Sequence, residues 1–171
     1  MDPFKSPDER HLDAAEGWLG LGNVMEANAE LNQITSALRR HPDFLAVRYK
    51  ILAKAECWTE CVVVAGAIAD LAPKCSLGWL HRAFALHQLK QTKMALETLH
   101  PALEIFSDEI EIRQRLACYE CVLGNVERAK QRLTEAMKLA KEQNCLDEWR
   151  RATLREPDLK PLWKSAEATG A

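Results

Sequence analysis

The sequence predicts an all-α fold built from repeated helical hairpins, and three observations lead there. Apolar and polar residues nowhere alternate long enough to make a strand face, whereas apolar residues recur at spacings of three and four almost throughout. Two short stripes, Trp79, Ala83, Leu86 and then Ala95, Leu99, Ala102, flank a polar stretch from Gln88 to Lys93, the pattern of two helices turned face to face. One common shift, the step from Trp79 to Arg113, carries these stripes onto Arg113, Ala117, Glu120 and Ala129, Leu133, Ala136, with Gly124-Asn125 where Lys90-Gln91 stood. Small residues fall on small ones, so two backbones approach closely, and Gly124 supplies the left-handed conformation that ends a first helix.

A helix-turn-helix period of about 34 residues, the length of that shift, is the period of tetratricopeptide repeats. The chain resembles this family at Trp79 and Ala83, at Leu116-Ala117, at Gly124-Asn125-Val126-Glu127-Arg128-Ala129, and near the start at Gly22-Asn23-Val24-Met25-Glu26-Ala27. The resemblance implies a right-handed α-solenoid of about four such repeats plus a C-terminal capping helix. Pro42 and Pro73 fall where the family often places proline, just before a first helix, and Ser107 takes that place in the last full unit.

In chain order the expectation is an N-terminal segment 1–8, helix pairs over 9–41, 43–72, 74–106 and 108–142, and a final region 143–171. Between Gly22 and Pro42 the second helix is expected to run about three residues longer than the family's, and Pro42 to Pro73 falls three positions short of a full period, so the first two units read as degenerate. Pro101 falls inside the second helix of the third pair and is expected to kink it, because it has no N–H for the carbonyl of residue 97. A capping helix is expected over 145–155, with Asn144 as its cap and Asp147 at the third helical position. Beyond it, Glu156-Pro157-Asp158-Leu159-Lys160-Pro161-Leu162-Trp163 resembles the proline-punctuated tail that closes some bacterial arrays, with Leu159, Leu162 and Trp163 lying over the last hairpin.

Composition narrows the function classes. Among 171 residues, 23 Lys and Arg balance 25 Asp and Glu in dispersed positions, which favours neither nucleic acid nor an anionic membrane. No apolar run reaches the roughly 18 residues of a membrane span, and Met1-Asp2-Pro3-Phe4-Lys5 does not read as an export signal, so the expectation is a cytoplasmic protein with six reduced cysteines.

Catalytic motifs are missing. Gly17-Trp18-Leu19-Gly20-Leu21-Gly22 follows no strand and lacks the Lys-Ser/Thr ending of a phosphate loop, and there is neither a Gly-x-Ser-x-Gly elbow nor a His-Glu-x-x-His pair. The expectation is no enzyme and no cofactor. Cys118 and Cys121 share a helix face, and a shift by one period sets His87 on Cys121; with Glu56 read as the same column one unit earlier, this gives an alternative reading as a metal- or redox-responsive module. Against it, the two Cys-x-x-Cys arms of a zinc ribbon are absent, Cys118-Tyr119-Glu120-Cys121 lies mid-helix where nothing lowers a thiol pKa, and cysteine is a favoured small packing residue, as Cys57 and Cys61 also read. Trp18, Trp58 and Trp79 read as core.

The resemblance also implies a binding surface, since the family holds peptides or helices in the groove lined by its first helices. Position by position this groove takes Leu77, Leu80, Phe84, His87 and Gln88 in the third unit, Glu111, Gln114, Cys118, Cys121 and Val122 in the fourth, and Ala46, Tyr49, Ala53 and Glu56 in the second. The basic and amide residues of a carboxylate clamp are not evident, so an apolar helix or peptide of another protein is the expected ligand. A self-assembling structural protein that dimerises through the same face is a further alternative.

Overall fold

The computed structural model describes residues 7–163. Residues 1–6 of the N-terminal segment and 164–171 of the tail lie outside the described residues. Among those described there are ten α-helices and no strand: α1 Asp8–Gly20, α2 Val24–Gln33, α3 Pro42–Lys54, α4 Trp58–Leu71, α5 Ser76–Gln88, α6 Thr92–Leu99, α7 Ala102–Ile105, α8 Ile110–Val122, α9 Val126–Glu142 and α10 Leu146–Arg155. Short 3-10 turns stand at Ser36–Leu38 and Pro157–Leu159, and residues 160–163, after the last of these, are helical as well.

The repeat period is tighter than the prolines suggest. First helices end at Gly20, Lys54, Gln88 and Val122, and second helices start at Val24, Trp58, Thr92 and Val126, so every step in both series is the same. Between them, Gly22, Glu56, Lys90 and Gly124 each take a positive φ, of 79°, 56°, 63° and 81°. The next residue's amide closes back onto the end of the first helix, Asn23 N to the Trp18 carbonyl, Cys57 N to Leu52, Gln91 N to Leu86 and Asn125 N to Glu120, which satisfies a carbonyl that the helix end leaves open. The first two units are therefore not degenerate. Pro42 is the first residue of α3 whereas Pro73 precedes Ser76, the start of α5, by three residues, so the proline spacing misreports a helix spacing that is again one full period.

Three local expectations are corrected or refined. Helix α2 is not long: it stops at Gln33, and the additional residues form an extended Ile34 and the turn at Ser36–Leu38. The buried Asp8 carboxylate holds this departure by accepting the Thr35 amide at 2.7 Å and the Thr35 hydroxyl at 3.1 Å. At Pro101 the expected kink is a full interruption, α6 ending at Leu99 and α7 resuming at Ala102, with the tighter bonds Leu103 N to the His100 carbonyl and Glu104 N to the Pro101 carbonyl between them. Asn144 does not cap α10. It takes φ 57° and closes α9, while Cys145 stands at the N-cap and Asp147 is the second helical residue.

The chain divides into two compact units, Met1–Ala85 and Leu86–Ala171, with the boundary inside α5. In the first, α1 packs on α2 and α3, α2 on α3, and α3 on α4, around Ala15, Ala27, Leu31, Val47, Cys61 and Ala65. Gly78 lets α5 lie backbone to backbone on α4: a Cβ there would stand 2.5 Å from the Ala69 amide nitrogen. In the second unit α8 packs on α9 and α6, α10 packs on α9, and the turn at Pro157–Leu159 packs on α8. Leu99, Ala102, Ile112, Leu116, Ala129 and Ala136 are among its fully enclosed side chains.

Candidate functional site

Two faces of the first helices carry the predicted ligand residues, one in each unit. In the first unit, α1 contributes Glu16, Leu19 and Gly20, α3 contributes Ala46, Tyr49, Lys50, Ala53 and Lys54, and α5 contributes Leu77 and His81 to a cleft of about 660 Å³. Its floor is apolar. Leu77 is 41 % exposed, and the Lys50 ammonium bridges to Glu16 at 2.8 Å, tying α3 to α1 at the rim.

Tyr49 is buried beneath this cleft. Its ring lies flat on the His81 ring with centroids 3.9 Å apart, and its hydroxyl donates to the His81 backbone carbonyl at 3.1 Å. Burial, reinforced by the Cys61 sulfur, raises the phenol above its ordinary range, so Tyr49 stays neutral. Burial, reinforced by the Lys50 charge, pushes the His81 imidazole down to about 4, so it too is neutral near pH 7. A neutral stacked pair forms a rigid, uncharged floor.

Leu80 and Phe84 do not line an open surface. Leu80 is buried, and Phe84 is half-buried with Trp58 against its ring at a centroid distance of 5.7 Å and an angle of 78°. The expectation of an open ligand position is corrected for Leu80, which is enclosed, whereas Phe84 keeps part of its ring exposed beside Trp58.

The second face is covered by the chain itself. The His87 ring shares a hydrogen bond with the Thr92 hydroxyl through Nδ1 at 3.0 Å, meets the Asp158 carboxylate through Nε2 at 3.1 Å, and lies 5.0 Å from the Tyr119 ring. Arg115 reaches Glu156 at 3.3 Å and Glu111 at 3.7 Å. Leu159 and Leu162 are buried on the same segment, and Gln114, Cys118 and Cys121 are buried on α8. Of the predicted set here, Glu111 and Val122 remain exposed and Gln88 is half-buried. Gln114, Cys118 and Cys121 are thus corrected from open ligand positions to covered ones.

The residues of the metal alternative are not brought together as a ligand set. Burial, with Glu156 adding to it, pushes the Cys118 thiol up to about 12, and burial with Asp158 raises Cys121, so neither is a resting thiolate. Both nitrogens of His87 are engaged. Glu56 is not in the column: its counterparts are the turn residues Gly22, Lys90 and Gly124, and the position one unit before His87 is Ala53. Among the described residues no group of three or more His, Cys, Asp and Glu is placed to hold a metal ion.

Several participants escaped the sequence reading. Leu19 was within reach, since shifting Ala53 back by one period lands on it. Arg115, Glu156 and Asp158 had no such signal, because the turn that carries the two carboxylates has no counterpart in the earlier units. A second apolar cleft, of about 570 Å³, between α9, α10 and Leu162-Trp163 was equally unannounced.

No family model matches the chain, and no curated protein matches it in sequence. Solved structures do match in fold. A MamA double mutant from strain RS-1 is 18 % identical with a TM-score of 0.71, over 82 % of this chain and 79 % of that one. MamA from residue 41 to its end, from Desulfovibrio magneticus RS-1, is 18 % identical with a TM-score of 0.72, over 81 % and 78 %. A thermophilic TPR protein of Thermus thermophilus is 19 % identical with a TM-score of 0.67, over 87 % and 82 %. At such identities the likeness concerns the fold alone: the chain has an all-α, tetratricopeptide-like helical-repeat fold.

Proposed function

We propose that the chain is a non-catalytic interaction module, an adaptor or scaffold that holds a segment of another protein on the first-helix face of residues 1–85. The observation that carries this reading is the cleft of α1, α3 and α5: an apolar floor of Leu19, Ala46 and Ala53 over the neutral Tyr49–His81 stack, an exposed Leu77 on its wall, and lysines at its edge. An apolar side chain seated there is recognised by shape and burial, at about 1.5 to 3 kcal/mol per well-buried residue before ordering costs. Lys54 at the rim favours a carboxylate on the same segment, Lys50 being paired with Glu16. The tetratricopeptide-like fold supports a scaffold role. No helix among the described residues is long and apolar enough to cross a membrane. Six unpaired cysteines are in keeping with a reducing compartment such as the cytoplasm.

Leu77→Glu is the variant that tests the cleft, because it puts a charge on an exposed wall position without entering the core. With wild-type and Leu77→Glu chains as baits in the same lysate, a partner retained by the first and lost by the second is the expected result; a second copy of the chain is read in the same experiment. Equal capture of every protein by both baits removes the cleft from the mechanism.

A further inference from the structure

The segment 156–162 is held on α8 and His87 by specific side-chain pairs, and its turn differs from the other turns of the repeat. Continuing the period, a fifth first helix would end at 156 and a left-handed residue would follow at 158. The helical register is kept, α10 stopping at Arg155 and residues 160–163 being helical again at the phase of a second helix, but Asp158 stands inside the 3-10 turn Pro157–Leu159 in place of the left-handed residue. What holds the segment is a set of complementary pairs: Glu156 on Arg115 at 3.3 Å, Asp158 on His87 at 3.1 Å, and Leu159 and Leu162 enclosed beside them. A guanidinium and an imidazole meet two carboxylates, and the turn itself packs on α8.

We propose that residues 156–162 are an exchangeable internal ligand, and that the α8 face fits a protein segment of the same chemistry: carboxylates at its first and third positions and leucines at its fourth and seventh. The contacts left behind make exchange feasible. Arg115 keeps Glu111 at 3.7 Å, and His87 keeps the Thr92 hydroxyl at 3.0 Å, so removing the strap leaves neither polar group stranded. The two leucines behave differently. Their departure would expose the apolar surface they cover, so the strap is replaced by an incoming pair of leucines rather than released into water. This surface lies wholly within residues 86–171 and does not rest on the cleft of α1, α3 and α5.

The test uses the full chain, wild type and Glu156→Ala/Asp158→Ala, with a fluorescent peptide of the sequence of residues 155–163 read by polarisation. The double variant should bind the peptide at least tenfold more tightly than the wild type, and a Leu159→Ala peptide should lose at least tenfold of that affinity. Equal affinity for both proteins, no binding by either, or indifference to the leucine overturns the proposal. Should the double variant fail to fold, hydrogen exchange on the wild-type chain with excess unlabelled peptide decides. Faster exchange at residues 156–162 is the expected result, and unchanged exchange overturns it. Leu77→Glu should leave this binding intact, which separates its failure from failure of the cleft.

Discussion

The α3 and α8 faces occupy the same phase of the repeat, two periods apart, yet they present opposite surfaces. Ala46, Lys50 and Ala53 fall on Gln114, Cys118 and Cys121 after a shift of two periods. On α3 these positions border an open cleft floored by an uncharged ring stack; on α8 they are covered by a turn carrying two carboxylates and two leucines. Register therefore fixes which way a position points along its own helix, whereas exposure depends on what else packs there.

The largest expected effect breaks the cleft from beneath. Gly78→Ala places a methyl group 2.5 Å from the Ala69 amide nitrogen, which no side-chain adjustment relieves, so α5 must move off α4, carrying the cleft residues Leu77 and His81. Thermal or denaturant unfolding should show a loss of about 3 kcal/mol. A loss below about 1 kcal/mol would mean that the two backbones are not in contact.

Next comes a pair that separates core from surface on one helix. Phe84→Glu buries a carboxylate beside Trp58 and should cost about 2 kcal/mol or more, while Leu77→Glu should stay within about 0.5 kcal/mol of wild type. Equal stabilities in a urea titration would return Phe84 to the surface and weaken the distinction drawn between the two.

The ring stack also gives the first unit a pH signature. His81 binds its proton less readily folded, at about 4, than at its ordinary value of 6.5. The unfolded chain therefore holds more protons between these values, and stability rises with pH. The contribution is complete above about pH 6.5 and is lost as the pH falls toward 4. After solvent screening the change is on the order of 1 kcal/mol, and His81→Gln should remove it from a pH series of unfolding curves.

The smallest effect concerns the turns. Lys90 carries a side chain through φ 63°, where glycine is unstrained. Lys90→Gly should therefore stabilise by about 0.5 kcal/mol, read as a small rise in Tm. Gly124→Ala at φ 81° should act in the opposite direction.

How far the sequence speaks follows the same division. Hairpins were legible because Ala83 on Ala117 and Leu99 on Leu133 repeat a packing requirement at one fixed period. The turns at Glu56 and Lys90 were harder, since glycine is the usual mark of a left-handed residue and neither has it. Asn144 was read as the start of one helix when it ends the previous one, because asparagine suits both roles. Tyr49 and Leu77 were named from their repeat positions alone, and Cys118 and Cys121 were read both as groove positions and as small packing residues, of which burial favours the second. The cover was legible in part, since Leu159 and Leu162 were expected over the last hairpin and are buried; the pairs of Glu156 with Arg115 and Asp158 with His87 were not, because they sit at a turn that differs from the others and no spacing rule describes a departure.

The constancy of the turns bears on how such a chain can change length. Because Glu56-Cys57-Trp58 and Lys90-Gln91-Thr92 stand at the same phase with the same closing bonds, recombination between two copies offset by one period joins a first helix to a second helix without a mismatched junction. Duplication or loss of one internal hairpin thus preserves every neighbouring turn. The last unit is not interchangeable in this way, since a strap bearing Glu156 and Asp158 needs Arg115 and His87 to receive it, and the corresponding positions one period earlier are His81 and Ala53.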